Sequence, residues 1–272
     1  MRVALVQLGY DDDEPVERRR ERAAALVREL AGHDLVVLPE LWAPGGFSYR
    51  DWPDRAEPVH GPTLQAMAAA ARDAGVVLHA GSVVERSAAD GDRGPQGRGL
   101  WNTSLLIGPD GALLRTYRKV HRFGFGSGEP RLLEAGDAVV TADVPRPVSG
   151  GTPVRLGLAT CYDLRFPEMF RLLLDAGARV VVVPAAWPAA RVAHWTLLGR
   201  ARAVEDQVFV LACNTAGTHA GHRMGGRSQV VGPSGEVLAE AGDDEQVLSV
   251  EIDVDGLDAV REAFPVLADR RL

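Results

Sequence analysis

Short apolar runs rich in β-branched residues recur along the whole chain, and most stop at a turn or give way to a helical stretch. Residues 3–8, 35–38, 76–84, 104–107, 154–159, 180–183 and 208–213 each read as a strand, several of them apolar enough to be buried on both faces. Helical patterns lie between several of them, at 14–31, 62–74, 167–175 and 193–207, with Gly75 and Gly177 placed as stops. Such alternation points to parallel strands joined by helices. Two turns interrupt it. Pro109-Asp110-Gly111 leads into a strand at 112–117, and Pro233-Ser234-Gly235 joins 229–231 to 237–239, so both mark hairpins. A last strand is expected at 246–252. A doubly wound parallel sheet has few hairpins. Mixed sheets fit better, with helices on one side and a second sheet on the other: an α/β layered sandwich. The loosest segment, 87–99, reads as an exposed loop, and the Pro/Gly-rich stretch 144–153 as a loop inside one domain.

Charge and run lengths exclude several functions. The chain has 37 acidic against 30 basic residues, a net charge of −7, which speaks against a nucleic-acid partner. Its apolar runs are too short to span a bilayer. The opening MRVALVQLGYDDDE lacks the apolar length and cleavage site of a signal peptide. No membrane partner is expected, and the protein reads as cytoplasmic. Two cysteines, Cys161 and Cys213, are too few for a disulfide framework or a cysteine-based zinc site.

Among the 30 basic residues a single one, Lys119, is lysine. A codon bias toward arginine explains the others but not the exception. Arginine fills most surface and ion-pair roles, but it cannot supply a compact ammonium with three rotatable donors. Lys119 is therefore a site candidate, with a chance survivor as the alternative. It follows Arg118 rather than glycine, which removes a phosphate-binding loop.

Three apolar strands end on a reactive residue: Glu40 in LVVLPELW, Lys119 in LRTYRKVHRF and Cys161 in LGLATCYDLRFPE. Loops after strands are where α/β proteins build sites. Cys161 sits where a strand gives way to a tight turn and a helix, a place that can expose a nucleophile beside backbone N–H groups. Most free cysteines are inert and buried, and that is how Cys213 reads. Glu40 is either a surface turn residue or a carboxylate partly withdrawn from water and suited to proton exchange. Lys119 would then stabilise an oxyanion or hold charge near a thiolate.

Taken together, Glu40 in LPELWAPGGF, Lys119 in YRKVHRF and Cys161 in CYDLRFPE resemble the Glu–Lys–Cys triad of the nitrilase superfamily, the carbon–nitrogen hydrolases. PAAWP at 184–188, HWTLLGRARAVEDQ at 194–207 and FPVLADRR at 264–271 extend the resemblance over nearly the whole chain. It implies a four-layer α-β-β-α sandwich spanning 1–272 as one domain, with a tail from about 253 packing at a subunit interface of a homodimer or larger homo-oligomer. It implies a second glutamate, matched here by Glu129 with Glu134 as the competitor. It also implies hydrolysis of a non-peptide C–N bond through a cysteine thioester, without metal or cofactor, and the ω-amidase-like branch acting on monoamides of small dicarboxylic acids. Tyr162 would offer its backbone N–H to the oxyanion. Arg165 would hold a substrate carboxylate or else brace the nucleophile turn. Trp187 and His194 would line the pocket, with bracing of the helix as the other reading of His194. Nitrilase or N-carbamoyl amidohydrolase activity, or a silent interaction module, remains the alternative.

Other patterns carry bland readings. His121 and His194 are the rival bases for a Cys–His nucleophile. His219 and His222 form H-x-x-H without further evident ligands. The G-x-G-x-G of Gly124, Gly126 and Gly128 lacks the strand and helix of a dinucleotide site. The loop 122–128 shapes the pocket. Arg200, Arg202, Glu205 and Asp206 read as a solvated helix face or a subunit interface.

Overall fold

A computed structural model describes residues 1–87 and 93–271. The first half runs β1 (Arg2–Gln7), α1 (Val16–Arg28), β2 (Leu35–Val37), α2 (Trp52–Arg55), α3 (Pro62–Ala74), β3 (Val77–Arg86), β4 (Leu100–Ile107) and β5 (Leu113–Arg118). Then come α4 (Glu129–Leu132), β6 (Val140–Val144), β7 (Val154–Leu158), α5 (Pro167–Asp175), β8 (Val180–Pro184), α6 (Val192–Asp206) and β9 (Phe209–Cys213). A two-residue ribbon follows, β10 (Thr218–His219) with β11 (His222–Arg223), and then β12 (Gln229–Val231), β13 (Val237–Glu240), β14 (Gln246–Glu251) and α7 (Leu257–Ala263).

Two six-stranded sheets result, ordered β14-β1-β2-β3-β4-β5 and β13-β12-β9-β8-β7-β6. In each, three central strands are parallel: β1, β2 and β3 in one, β7, β8 and β9 in the other. Antiparallel strands flank them, including both expected hairpins, β4–β5 and β12–β13. The period-2 geometry of a strand sets the layers. Val3, Leu5, Leu35 and Val37 join Leu156, Leu158, Val181 and Leu211 in the core that spans the two sheets. Their neighbours Ala4, Val6, Val36 and Leu38 pack instead on Ala23, Val27, Met67 and Ala70 of α1 and α3. On the far side α5 and α6 contribute Phe170, Leu173 and Trp195. The order is helices, sheet, sheet, helices, a four-layer α-β-β-α sandwich.

The edge strand β6 was not expected from the sequence. Only its last three residues alternate, Ala142 and Val144 buried and Asp143 exposed, and Pro145 follows directly. The 87–99 loop falls partly on 88–92, outside the described residues. Its later part turns back so that the Gln96 and Arg98 N–H groups donate to Glu134 at 3.0 and 2.7 Å. On α6 the charged stripe divides: Arg200 and Glu205 are exposed, whereas Arg202 and Asp206 are buried. A solvated face therefore describes only half of it.

Candidate active site

Glu40 follows β2 by three residues. The β3 strand bulges beneath it, and Gly81 passes so close that a Cβ there would lie 1.8 Å from the Pro39 carbonyl oxygen. Gly81 has φ +68°, which glycine adopts at little steric cost. Ser82 Oγ then accepts the N–H of Leu41 at 3.1 Å, and Leu41 is itself left-handed at φ 45°. Cys161 also stands in the left-handed region, at φ 49°, on the short 3-10 turn Cys161–Arg165. A non-glycine residue there costs roughly 1–2 kcal/mol, so surrounding bonds must hold it.

Asp163 supplies those bonds. One carboxylate oxygen accepts the Thr160 N–H and the Tyr117 hydroxyl, both at 2.8 Å. The other accepts the backbone N–H of His121 at 2.9 Å and faces its Nδ1 at 2.8 Å. A single buried carboxylate thus ties the Cys161 turn to the segment that carries Lys119. From the other side Arg202 donates twice to the Leu164 carbonyl, at 3.1 and 3.0 Å.

The three candidates and Glu129 converge. Lys119 Nζ donates to Glu40 Oε1 at 2.7 Å and to both Glu129 oxygens at 3.0 and 2.9 Å. Asn102 donates to the same Glu40 and Glu129 Oε1 atoms at 2.8 and 2.9 Å. Glu40 Oε2 accepts the Ala186 N–H at 2.9 Å, and Glu40, Lys119 and Glu129 all lie close enough to Cys161 for their charges to act on its thiol. Of the two acids weighed as the fourth member, Glu129 reaches Lys119, while Glu134 caps the 96–98 turn.

Burial dominates the electrostatics. It pushes the Cys161 thiol well above its ordinary range, and the adjacent Glu40 charge adds to this against the opposing pull of Lys119. These influences together favour the thiol form of Cys161. Burial also raises Glu129, partly offset by Lys119 and reinforced by Glu40. Lys119 is itself desolvated, but the two carboxylates outweigh that and hold it firmly protonated.

Cys161 lines a small cleft. Phe47, Phe123, Tyr162 and Trp187 form apolar walls, and the charged lining residues are Arg165 and Arg191. Arg165 lies over the Trp187 ring at 4.7 Å, and Arg191 over Phe123 at 5.3 Å. Neither makes an ion pair among the described residues. Arg165 thus does not brace the nucleophile turn through a salt bridge; Asp163 and Arg202 hold that turn. His194 is exposed and sits behind Arg165, its Nδ1 3.3 Å from the guanidinium, outside the cleft lining.

The remaining singled-out residues serve the frame. His121 stacks on Phe166 at 3.7 Å. His219 stacks on Tyr10 at 4.3 Å, and His222 packs on Phe47 at 4.7 Å. Cys213 is buried and bridges the sheets, its thiol 3.4 and 3.3 Å from the Val6 and Val37 carbonyls. Sequence reasoning missed Asn102, Asp163 and Arg191. For Asn102 the signal was an amide inside an apolar strand, and for Asp163 an acid two residues after the cysteine. Arg191 stood among many arginines and carried no signal.

The carbon–nitrogen hydrolase family model matches residues 2–262. The chain is 44% identical over 273 residues to a 2-oxoglutaramate amidase of Paenarthrobacter nicotinovorans, covering 99% of this chain and 89% of that protein. It is 35% identical over 281 residues to the omega-amidase NIT2 of Mus musculus, covering 99% and 95%. Its fold is similar to the crystal structure of a CN-hydrolase superfamily protein from Xanthomonas campestris, with a TM-score of 0.87, 32% identity and coverage of 100% and 97%.

Proposed function

Because the chain belongs to the carbon–nitrogen hydrolases of the nitrilase superfamily, we propose that it hydrolyses the monoamide of a small dicarboxylic acid, such as 2-oxoglutaramate, through a thioester on Cys161. One observation carries this reading. A buried thiol beside a carboxylate lines a small cleft whose charged walls are Arg165 and Arg191, neither of them ion-paired among the described residues. The first relation supplies acyl transfer, and the second asks for an anionic substrate.

Glu40 takes the thiol proton as Sγ bonds to the amide carbon. The carbonyl oxygen becomes an oxyanion, held by the Lys119 ammonium and the Tyr162 backbone N–H. The C–N bond then breaks, and Glu40 returns its proton to the leaving nitrogen, which departs as ammonia. Water attacks the thioester and gives a proton to Glu40. The C–S bond breaks, and Glu40 reprotonates the sulfur. Glu129 anchors Lys119 throughout. The two Lys119–Glu129 contacts can share one N–H, which leaves a third donor for the oxyanion. A planar guanidinium has no comparable arrangement, which accounts for lysine at this one position.

An ammonia-release screen over monoamides of dicarboxylic acids, uncharged amides, nitriles and N-carbamoyl amino acids tests the reading, with Cys161→Ala as blank. Preference for the carboxylate-bearing amides is expected; preference for nitriles or N-carbamoyl compounds would move the chain to another branch. Arg165→Met and Arg191→Met should each raise KM for such an amide by about 10- to 100-fold, as expected for a lost hydrogen bond to a charged group. Neutral amides should change little, and an equal loss on both would contradict the carboxylate role.

We further propose one domain over 1–272 that pairs with a second copy. Leu172, Leu197 and Val204 on α5 and α6 and Phe264 in the C-terminal tail are 48–67% exposed, an apolar face suited to self-association. No helix among the described residues is long and apolar enough to cross a membrane. Two unbridged cysteines suit a reducing cytoplasm.

A further inference from the structure

Resting on the role given to Glu40, we infer that Asn102 is a positioning residue that fixes which oxygen of Glu40 carries the shuttled proton. Asn102 lies in β4 and is buried. Its amide nitrogen and Lys119 Nζ each bridge Glu40 Oε1 and Glu129 Oε1, so two donor nitrogens and two acceptor oxygens close a four-membered ring of hydrogen bonds. The Asn102 carbonyl also accepts the Lys119 N–H at 2.8 Å, which fixes the two residues to each other through the backbone.

An ionised carboxylate has about four lone-pair sites. On Glu40, Lys119 and Asn102 fill both sites of Oε1, and the Ala186 N–H fills one site of Oε2. One site remains, on Oε2, for the thiol proton. Without Asn102 a second position opens on Oε1, on the side of Lys119 and Glu129, where a proton would be displaced from the sulfur and the leaving group. The residue type is the one this task needs. A cation there would add a positive charge and weaken the base, an aspartate would add a third carboxylate, and an aliphatic side chain would offer no donor. The amide orientation is set by its two acceptors, and it leaves Asn102 Oδ1 buried without a partner in the described structure. Burying an orphan acceptor is unfavourable, so the donor side must hold the amide in place.

The test compares Asn102→Ala, Asn102→Asp and Asn102→Ser with the native enzyme by thermal melting, by Cys161 alkylation and by the pH profile of kcat/KM, whose acidic limb reports the free enzyme's base. Loss of a donor to the carboxylate favours its protonated form. The Ala and Asp variants should therefore lose about 10- to 100-fold in kcat/KM with the acidic limb moved to higher pH, and the Ser variant should lie between them and the native enzyme. An unchanged profile in the variants that fold, or a loss uniform at all pH values, would overturn the inference. So would the failure of all three to fold, which would assign Asn102 to the core alone. If instead the native enzyme forms no acyl adduct on Cys161, the parent reading fails, and these variants do not bear on that outcome.

Discussion

Lys119→Met should abolish turnover and destabilise the fold by about 3–5 kcal/mol, the usual consequence of leaving buried charge without its partner. Lys119 stands between Glu40 and Glu129, and all three side chains are at most 4% exposed. Removing the ammonium leaves two buried carboxylates with only neutral donors: Asn102, shared by both, the Ala186 N–H on Glu40 and the Phe123 N–H on Glu129. The defect has a pH signature. Burial raises Glu129 and the charge of Glu40 raises it further, while Lys119 opposes both. Without Lys119 the folded chain binds a proton at Glu129 more tightly than the unfolded chain does. A carboxyl raised in this way favours the folded state at low pH and disfavours it as pH rises through the folded value. The variant should melt several degrees higher at pH 5 than at pH 7, with a smaller difference in the native protein. Adding Glu129→Gln should recover much of the stability and none of the activity. Lys119→Arg, which overfills the same space, should be inactive but lose only about 1–3 kcal/mol. An active Lys119→Arg enzyme would contradict the role given to the ammonium.

Glu40→Gln should separate proton transfer from the presence of the nucleophile. Loss of a general base costs about 10²- to 10⁴-fold in rate, and here one carboxylate serves every proton step, so the upper end is expected. The sulfur should respond in the opposite sense. Burial and the Glu40 charge raise the thiol, whereas Lys119 lowers it. Replacing the carboxylate removes the Glu40 charge and leaves Lys119. Iodoacetamide should therefore label Cys161 faster at pH 8 in the variant than in the native enzyme, although turnover has collapsed. Equal loss of labelling and turnover would point to a disrupted site. Retained turnover, with loss in His121→Ala or His194→Ala, would restore a Cys–His mechanism.

Much of this site is readable in the sequence because its reactive residues stand at strand ends, and strand ends are marked locally. The run 35–38 followed by Pro-Glu, the only lysine of the chain and the strand-to-turn passage at Cys161 are all visible within a few residues. The helices at Pro62–Ala74 and Pro167–Asp175 were equally legible, since proline and glycine bracket them. What local pattern cannot carry is pairing across the fold. Asn102 and Glu40 are 62 positions apart, and Tyr117 and Asp163 are 46 apart. Arg202 reads as a surface charge until the Leu164 carbonyl and the Phe170 ring are seen beside it. His194 and its neighbour Arg165 are 29 positions apart.

The most direct test follows the acyl group. Enzyme turning over a monoamide in steady state is quenched in acid and analysed by intact and peptide mass spectrometry. An adduct of the acyl mass is expected on the peptide carrying Cys161, discharged by hydroxylamine and absent from Cys161→Ala, which should itself fall to background ammonia release. A Cys161→Ala enzyme with native turnover, or an acyl group on any residue other than Cys161, would contradict thioester catalysis at this sulfur.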